Sequence, residues 1–139
     1  MAFAPSSWPP PPPQLTLSGD EIHVWCASLQ RQPGAVARLA ALLSEEELDR
    51  AGRYRSPTLR DQFVVARGLL RTILGGYLAV DPRRVAFRQG PQGKPLLAGP
   101  HPLHFNVSHS GGVALYAVTR LAEVGVDVER VRHVENDLD

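Results

Sequence analysis

Two acids separated by a single residue, Asp127 and Glu129 in the run Gly125-Val126-Asp127-Val128-Glu129, are the side chains whose spacing speaks most directly of chemistry. In a strand, neighbouring side chains point to opposite faces. Val126 and Val128 then share the core side, and the acids project from the other with their Cα atoms about 6.5 Å apart. Carboxylates that close repel unless positive charge sits between them. A divalent cation with hard oxygen ligands meets that need, and coordination shared with water suits Mg2+. An exposed edge strand with alternating charges carries the same pattern, so the triplet alone decides nothing. A second group is Phe105-Asn106-Val107-Ser108-His109-Ser110-Gly111-Gly112, where a strand runs into a polar, glycine-containing turn. Hydroxyls, an imidazole and free backbone N–H groups there would cradle a phosphate, the more so if a helical turn begins at that point. Ser108 and His109 also raise a hydrolase. Adjacent residues seldom form a nucleophile–base pair, however, and no glycine-flanked nucleophile elbow is present. The third group is Gly93-Lys94-Pro95, in which Lys94 is the one lysine beside fourteen arginines.

These groups need a scaffold, and hydrophobic periodicity supplies one. Residues 1–19 include the proline run Pro9 to Pro13, which favours polyproline II and reads as a disordered leader ahead of a domain spanning residues 20–139. Glu21 to Cys26 alternates as a first strand with Ile22, Val24 and Cys26 on one side, and Cys26 reads as a small core residue. Ala35 to Leu43 fits a short helix. Ser44-Glu45-Glu46-Glu47 has the capping-box form, with Arg50, Arg53 and Arg55 following where the helix macrodipole favours cations. Ser56-Pro57 stops that helix, and Thr58 opens the longest one, reaching about Val80. Its core stripe is Phe63, Ala66, Leu70, Ile73, Leu74, Tyr77 and Leu78, with Arg60, Arg67 and Arg71 off it. From Val85 the period becomes two: strands are expected at Val85 to Arg88, Leu103 to Val107, Val113 to Thr119 and Val124 to Glu129, with a turn at Gly90 to Gly93. Helices followed by an antiparallel meander indicate an α+β fold, helices packed on an antiparallel sheet.

Bulk properties narrow the class. The net charge of +1 hides an asymmetry: residues 31–94 carry twelve basic and six acidic side chains, residues 95–139 three and six. A basic middle and an acidic end suit an anionic ligand held partly through a cation, and not duplex DNA, which asks for a more basic domain. With one cysteine, a disulfide framework or thiolate zinc cluster within the chain is excluded. No apolar stretch approaches bilayer-spanning length, and the N-terminus lacks the basic-then-apolar order of a secretory signal. A cytoplasmic protein with no nucleic-acid or membrane partner is the expectation.

In this order and spacing, G-K-P, F-N-x-S-H-S and G-x-D-x-E resemble the Sfp-type 4′-phosphopantetheinyl transferases, and the likeness runs from Leu43 to Arg132. The resemblance implies a half-domain of that fold, its N-terminal half. It implies transfer of 4′-phosphopantetheine from coenzyme A to a serine of an acyl or peptidyl carrier protein, with Mg2+. Asp127 and Glu129 match the family's metal ligands. Ser108 and His109 match residues lining the cofactor site, the histidine at the ribose 3′-phosphate. Gly93, Lys94 and Pro95 match the loop around the adenine, and Arg50 and Arg53 fall where the family places basic residues near the 3′-phosphate. Family members are pseudo-dimers, and their second half brings a lysine–glutamate helix that completes the metal site and carries the expected base. Nothing in these 139 residues matches that helix, so the catalytic base is expected from the second half; a homodimer partner could pair with this half but would still lack the helix. The rival readings are a non-catalytic coenzyme A or nucleotide-binding half-domain and a metal-dependent phosphohydrolase or nuclease.

Overall fold

A computed structural model describes residues 8–129. The elements are β1 (Ile22–Ser28), α1 (Pro33–Ala40), α2 (Glu45–Gly52), α3 (Pro57–Leu78), β2 (Phe87–Gln89), β3 (Pro95–Leu97), β4 (His104–Ser110) and β5 (Val113–Thr119). One sheet has the antiparallel order β1-β5-β4, and β2 and β3 form a separate hairpin. This is the α+β architecture expected.

Local chemistry sets the helix ends. The Ser44 side chain accepts from the Glu47 N–H while the Glu47 carboxylate accepts from the Ser44 N–H, so the capping box is complete at the start of α2. Ser56, rather than Thr58, caps α3 by accepting from the Leu59 N–H, and Pro57 occupies the first turn, where its missing N–H is harmless. Gly68 lets α1 approach α3. A Cβ there would lie 2.8 Å from the Leu39 Cβ.

Strand register decides which side chains meet. His23, Trp25 and Ala27 lie opposite Val118, Tyr116 and Ala114, and Phe105 and Val107 face the same Val118 and Tyr116 from β4. This face packs on Val65, Leu70, Ile73, Leu74 and Tyr77 of α3. Its polar tips are satisfied. Tyr116 donates to the Ala66 carbonyl (2.8 Å), and Trp25 Nε1–H donates to the Tyr77 hydroxyl (2.9 Å), leaving that hydroxyl's proton for His23 Nδ1 (2.7 Å).

Several expectations need correction. Ile22, Val24 and Cys26 do share a face, but it is the uncovered one: Ile22 is 52% and Val24 42% exposed, and Cys26 is half-buried rather than a core residue. The inner face takes Trp25 and His23 because the Tyr77 hydroxyl gives their polar tips a partner. Within the stretch read as a disordered leader, Leu17 is buried in the main core, Leu15 packs against it, and the Leu17 carbonyl accepts from Arg120 Nε at 3.1 Å. Arg71 lies inside the protein at 4% exposure. β4 continues through Ser110, so the turn is reduced to Gly111 and Gly112, with φ of 58° and 79°, and no helical turn begins there. The segment expected as a strand at Val124 to Glu129 is extended but has no backbone ladder among the described residues.

Candidate functional site

The capped helix α2 delivers Arg50 to its last turn and Arg53 to its C-cap. Both line a cleft of about 580 Å³ between α2, α3 and the β2–β3 hairpin, together with Arg67, Arg88, Gly93 and Pro95 and the acids Glu46, Glu47 and Asp49. Gln92 (φ 60°) and Gly93 (φ 77°) are both left-handed at the hairpin tip, a backbone path that turns the Gly93–Pro95 segment toward the cleft. Among the described residues, Arg50, Arg53 and Arg88 have no carboxylate partner. Their charge is therefore available to an anion. Lys94 points elsewhere: it lines a second cleft of about 470 Å³ on the other side of the hairpin, with His101, His104 and Phe105.

A buried ionic network that sequence periodicity did not find underlies the first cleft. Glu47 Oε1 accepts from Arg71 Nε (2.7 Å) as well as from the Ser44 N–H (2.9 Å), and Glu47 Oε2 accepts from Arg67 Nη1 (2.9 Å). Arg71 also donates from Nη1 to the carbonyls of Pro82 (3.1 Å) and Val85 (2.8 Å). One guanidinium thus ties α2, α3 and the turn leading into β2 together. Burial pushes the Glu47 carboxyl upward, but the Ser44 N–H and the Arg71 and Arg67 bonds outweigh it and hold the group below its ordinary value. Phenyl rings separate the cations. The guanidinium of Arg50 sits 5.2 Å from the Phe63 ring centre, Arg67 lies 5.4 Å from Phe63 and 5.5 Å from Phe87, and Arg71 lies 5.2 Å from Phe87. Stacking of this kind fixes planar cations whose like charges would otherwise push them apart. The sequence shows only its parts, a glutamate in a helix cap and two arginines a turn apart on α3, and not that they meet.

The acidic pair belongs to a different part of the surface. Residues 124–129 run alongside β4 and are held by its side chains. The Val126 N–H donates to Asn106 Oδ1 (3.1 Å), and the Val128 N–H donates to Ser108 Oγ (3.0 Å). Ser108 in turn donates to Asp127 Oδ1 at 3.1 Å. The expected alternation survives: Val124, Val126 and Val128 are half-buried, whereas Asp127 and Glu129 are exposed. Side-chain acceptors at alternate positions of β4 impose the same period that a ladder would. Neither acid is ion-paired with a lysine or arginine among the described residues. Two free carboxylates next to a hydroxyl form the all-oxygen donor set that Mg2+ prefers. They are an incomplete set, since no three His, Cys, Asp or Glu side chains converge on a metal position among the described residues. His109 is exposed near the end of β4 and lines neither cleft.

The fold thus brings together Arg50, Arg53, Gly93 and Pro95 in one place and Ser108 and Asp127 in another, with Lys94 and His109 outside both groups. The family described as "4′-phosphopantetheinyl transferase, N-terminal" matches residues 29–120. The 4′-phosphopantetheinyl transferase HetI of Nostoc sp. is 44% identical over 129 residues, which are 91% of this chain and 54% of that protein. A putative 4′-phosphopantetheinyl transferase of Synechocystis sp. is 40% identical over 91 residues, 64% of this chain and 37% of its own. A 4′-phosphopantetheinyl transferase of Bacillus subtilis is 27% identical over 99 residues, 71% of this chain and 44% of its own. The chain therefore spans about half the length of these curated relatives, or less. With two thirds of its residues inside the family match and the expected helices and sheet beneath them, this chain belongs to the 4′-phosphopantetheinyl transferase family, whose N-terminal part it represents.

Proposed function

We propose that this chain supplies the front half of an active site that moves 4′-phosphopantetheine from coenzyme A to a serine hydroxyl of an acyl or peptidyl carrier protein in the cytoplasm. The observation that carries the reading is the cleft lined by Arg50, Arg53, Arg67 and Arg88. Glu46, Glu47 and Asp49 also stand there, but Glu47 is engaged by Arg67 and Arg71, and Arg50, Arg53 and Arg88 have no carboxylate partner among the described residues. Such a cleft takes a polyanion, and coenzyme A carries a pyrophosphate and a 3′-phosphate. Arg50 and Arg53 hold the 3′-phosphate, and Gly93 and Pro95 border the adenine, whereas Lys94 and His109 lie outside this cleft. In the transfer the serine oxygen bonds to the β-phosphorus, the pyrophosphate P–O bond breaks, 3′,5′-ADP leaves and the serine proton passes to a base. Asp127 and Glu129 would hold Mg2+, which when bound supplies charge neutralisation on the pyrophosphate oxygens. Ser108 keeps Asp127 turned outward for that role.

No base stands among these residues, so the base and the remaining metal ligand come from a second-half polypeptide; a partner copy of this chain would lack them too. The uncovered sheet face with Ile22 and Val24 is the apolar surface on which such a partner docks. The test is loading of an apo carrier protein, followed by mass shift, with the 139-residue chain alone and with a second-half polypeptide added. Loading only with the addition is expected. Fast, stoichiometric loading by the chain alone would refute the division of labour, and coenzyme A binding with no loading in either case would favour a non-catalytic binding half-domain.

A further inference from the structure

Arg67 and Arg71 leave the same helix one turn apart and share one carboxylate, yet they end differently. Arg71 is consumed by the protein: its Nε goes to Glu47 and its Nη1 to backbone carbonyls. Arg67 gives Nη1 alone to Glu47, and Nε and Nη2 have no hydrogen-bond partner among the described residues. A guanidinium has five N–H donors. Among the described residues no buried side-chain nitrogen lacks a partner, so those two nitrogens of Arg67 must reach open space. The space they reach is the basic cleft, which Arg67 lines while its side chain is only 14% exposed.

We propose that Arg67 is a binding residue of this cleft, a third guanidinium contacting the phosphate monoester of the ligand beside Arg50 and Arg53. The inference rests on reading the cleft as the coenzyme A site. Three features favour it over a purely structural role. The Phe63 and Phe87 rings both pack against the guanidinium, 5.4 and 5.5 Å from its carbon. The Glu47 bond fixes its in-plane rotation. Phe63 also carries Arg50 on its ring, which sets the two cations around one phenyl group at a fixed spacing. A planar fork immobilised in this way loses little freedom on binding, and its remaining donors suit bidentate contact with phosphate oxygens. Arg50, nearer the end of α2, is braced by the Phe63 ring alone, and Arg53 has neither a stacked ring nor a carboxylate among the described residues. Arg67 is thus the pre-set member of the group.

The experiment compares the wild-type chain with Arg67→Lys and Arg67→Met by calorimetric titration with coenzyme A and with dephospho-coenzyme A, alongside thermal unfolding. Lysine keeps the ion pair with Glu47 and loses the fork; methionine keeps an apolar stem between the rings. Wild type should prefer coenzyme A by about tenfold or more. Arg67→Lys should lose most of that preference while dephospho-coenzyme A affinity changes less than about twofold, and Arg67→Met should behave likewise. A folded variant that keeps the full preference, or that weakens both ligands equally, overturns the assignment of Arg67 alone. A wild type that binds neither ligand, or both equally, overturns the coenzyme A reading of the cleft and this inference with it.

Discussion

Removing the Glu47 carboxylate should be the most damaging single change at the site, and its size can be worked from the contacts. Glu47→Ala leaves Arg71, 4% exposed, facing its backbone carbonyls without its counter-charge, and strips Arg67 of its only hydrogen-bond partner among the described residues. Breaking a buried pair by deleting one member costs about 3–5 kcal/mol. Loss of the reciprocal half of the capping box adds roughly 0.5–1 kcal/mol. Against a total stability of about 5–15 kcal/mol this is a large fraction. Glu47→Gln keeps an acceptor for the Ser44 N–H and for one arginine while losing the charge, so it should cost about half as much. Urea unfolding followed by circular dichroism measures both. With a slope of about 1.5–2 kcal/mol per molar, the alanine variant should unfold about 2–4 M earlier than wild type and the glutamine variant about 1–2 M earlier. If alanine costs under about 1 kcal/mol, or if glutamine is the worse of the two, the network does not hold α2 against α3 as argued.

The same carboxyl gives a pH dependence. Its folded value lies below the ordinary 4.5, so its contribution is complete above that value and is lost as pH falls through the lower folded one; acid unfolding should therefore shift to higher pH in Glu47→Gln. Asp127→Ala should leave the unfolding temperature unchanged, because the side chain is exposed, while coenzyme A affinity in Mg2+ falls to its Mg2+-free value; equal affinity for wild type and variant in Mg2+ would remove Asp127 from the site. Ser108→Ala should raise the Mg2+ concentration needed for half-maximal binding by about tenfold, leave Mg2+-free affinity alone and be rescued by Ser108→Thr. A Ser108→Ala variant that weakens Mg2+-free binding would instead place the hydroxyl directly on coenzyme A.

What was legible in the sequence was what nearby residues decide. The α2 cap follows from Ser44 and Glu47 three positions apart, and the long helix from apolar spacing along Phe63 to Leu78. The outward face of Asp127 and Glu129 followed from alternation alone. Arg71 could not be recognised as buried because its stability inside depends on Glu47, twenty-four residues earlier, arriving with the right cap. β3 escaped notice because Pro-Leu-Leu is too short to show a period. The inner face of β1 was hidden for a related reason: His23 and Trp25 become core residues only once Tyr77 supplies a hydroxyl from α3. Segment 124–129 reads as a strand because its side chains alternate. What no residue pattern reveals is that Asn106 and Ser108, not backbone carbonyls, receive its amides.

That substitution of side chains for a ladder separates the opening of the acidic segment from the opening of the sheet. A ladder strand leaves only when its neighbour's backbone groups are given up, whereas the amides of Val126 and Val128 are released by rotating two side chains while the β4–β5 pairing stays whole. Amide hydrogen exchange at these two positions should therefore proceed through a small local opening, well below the free energy of global unfolding that governs the central strand β5. Whatever occupies the carboxylates then works against that opening, and protection at two valines becomes a direct reading of how firmly the carboxylate-bearing segment is seated.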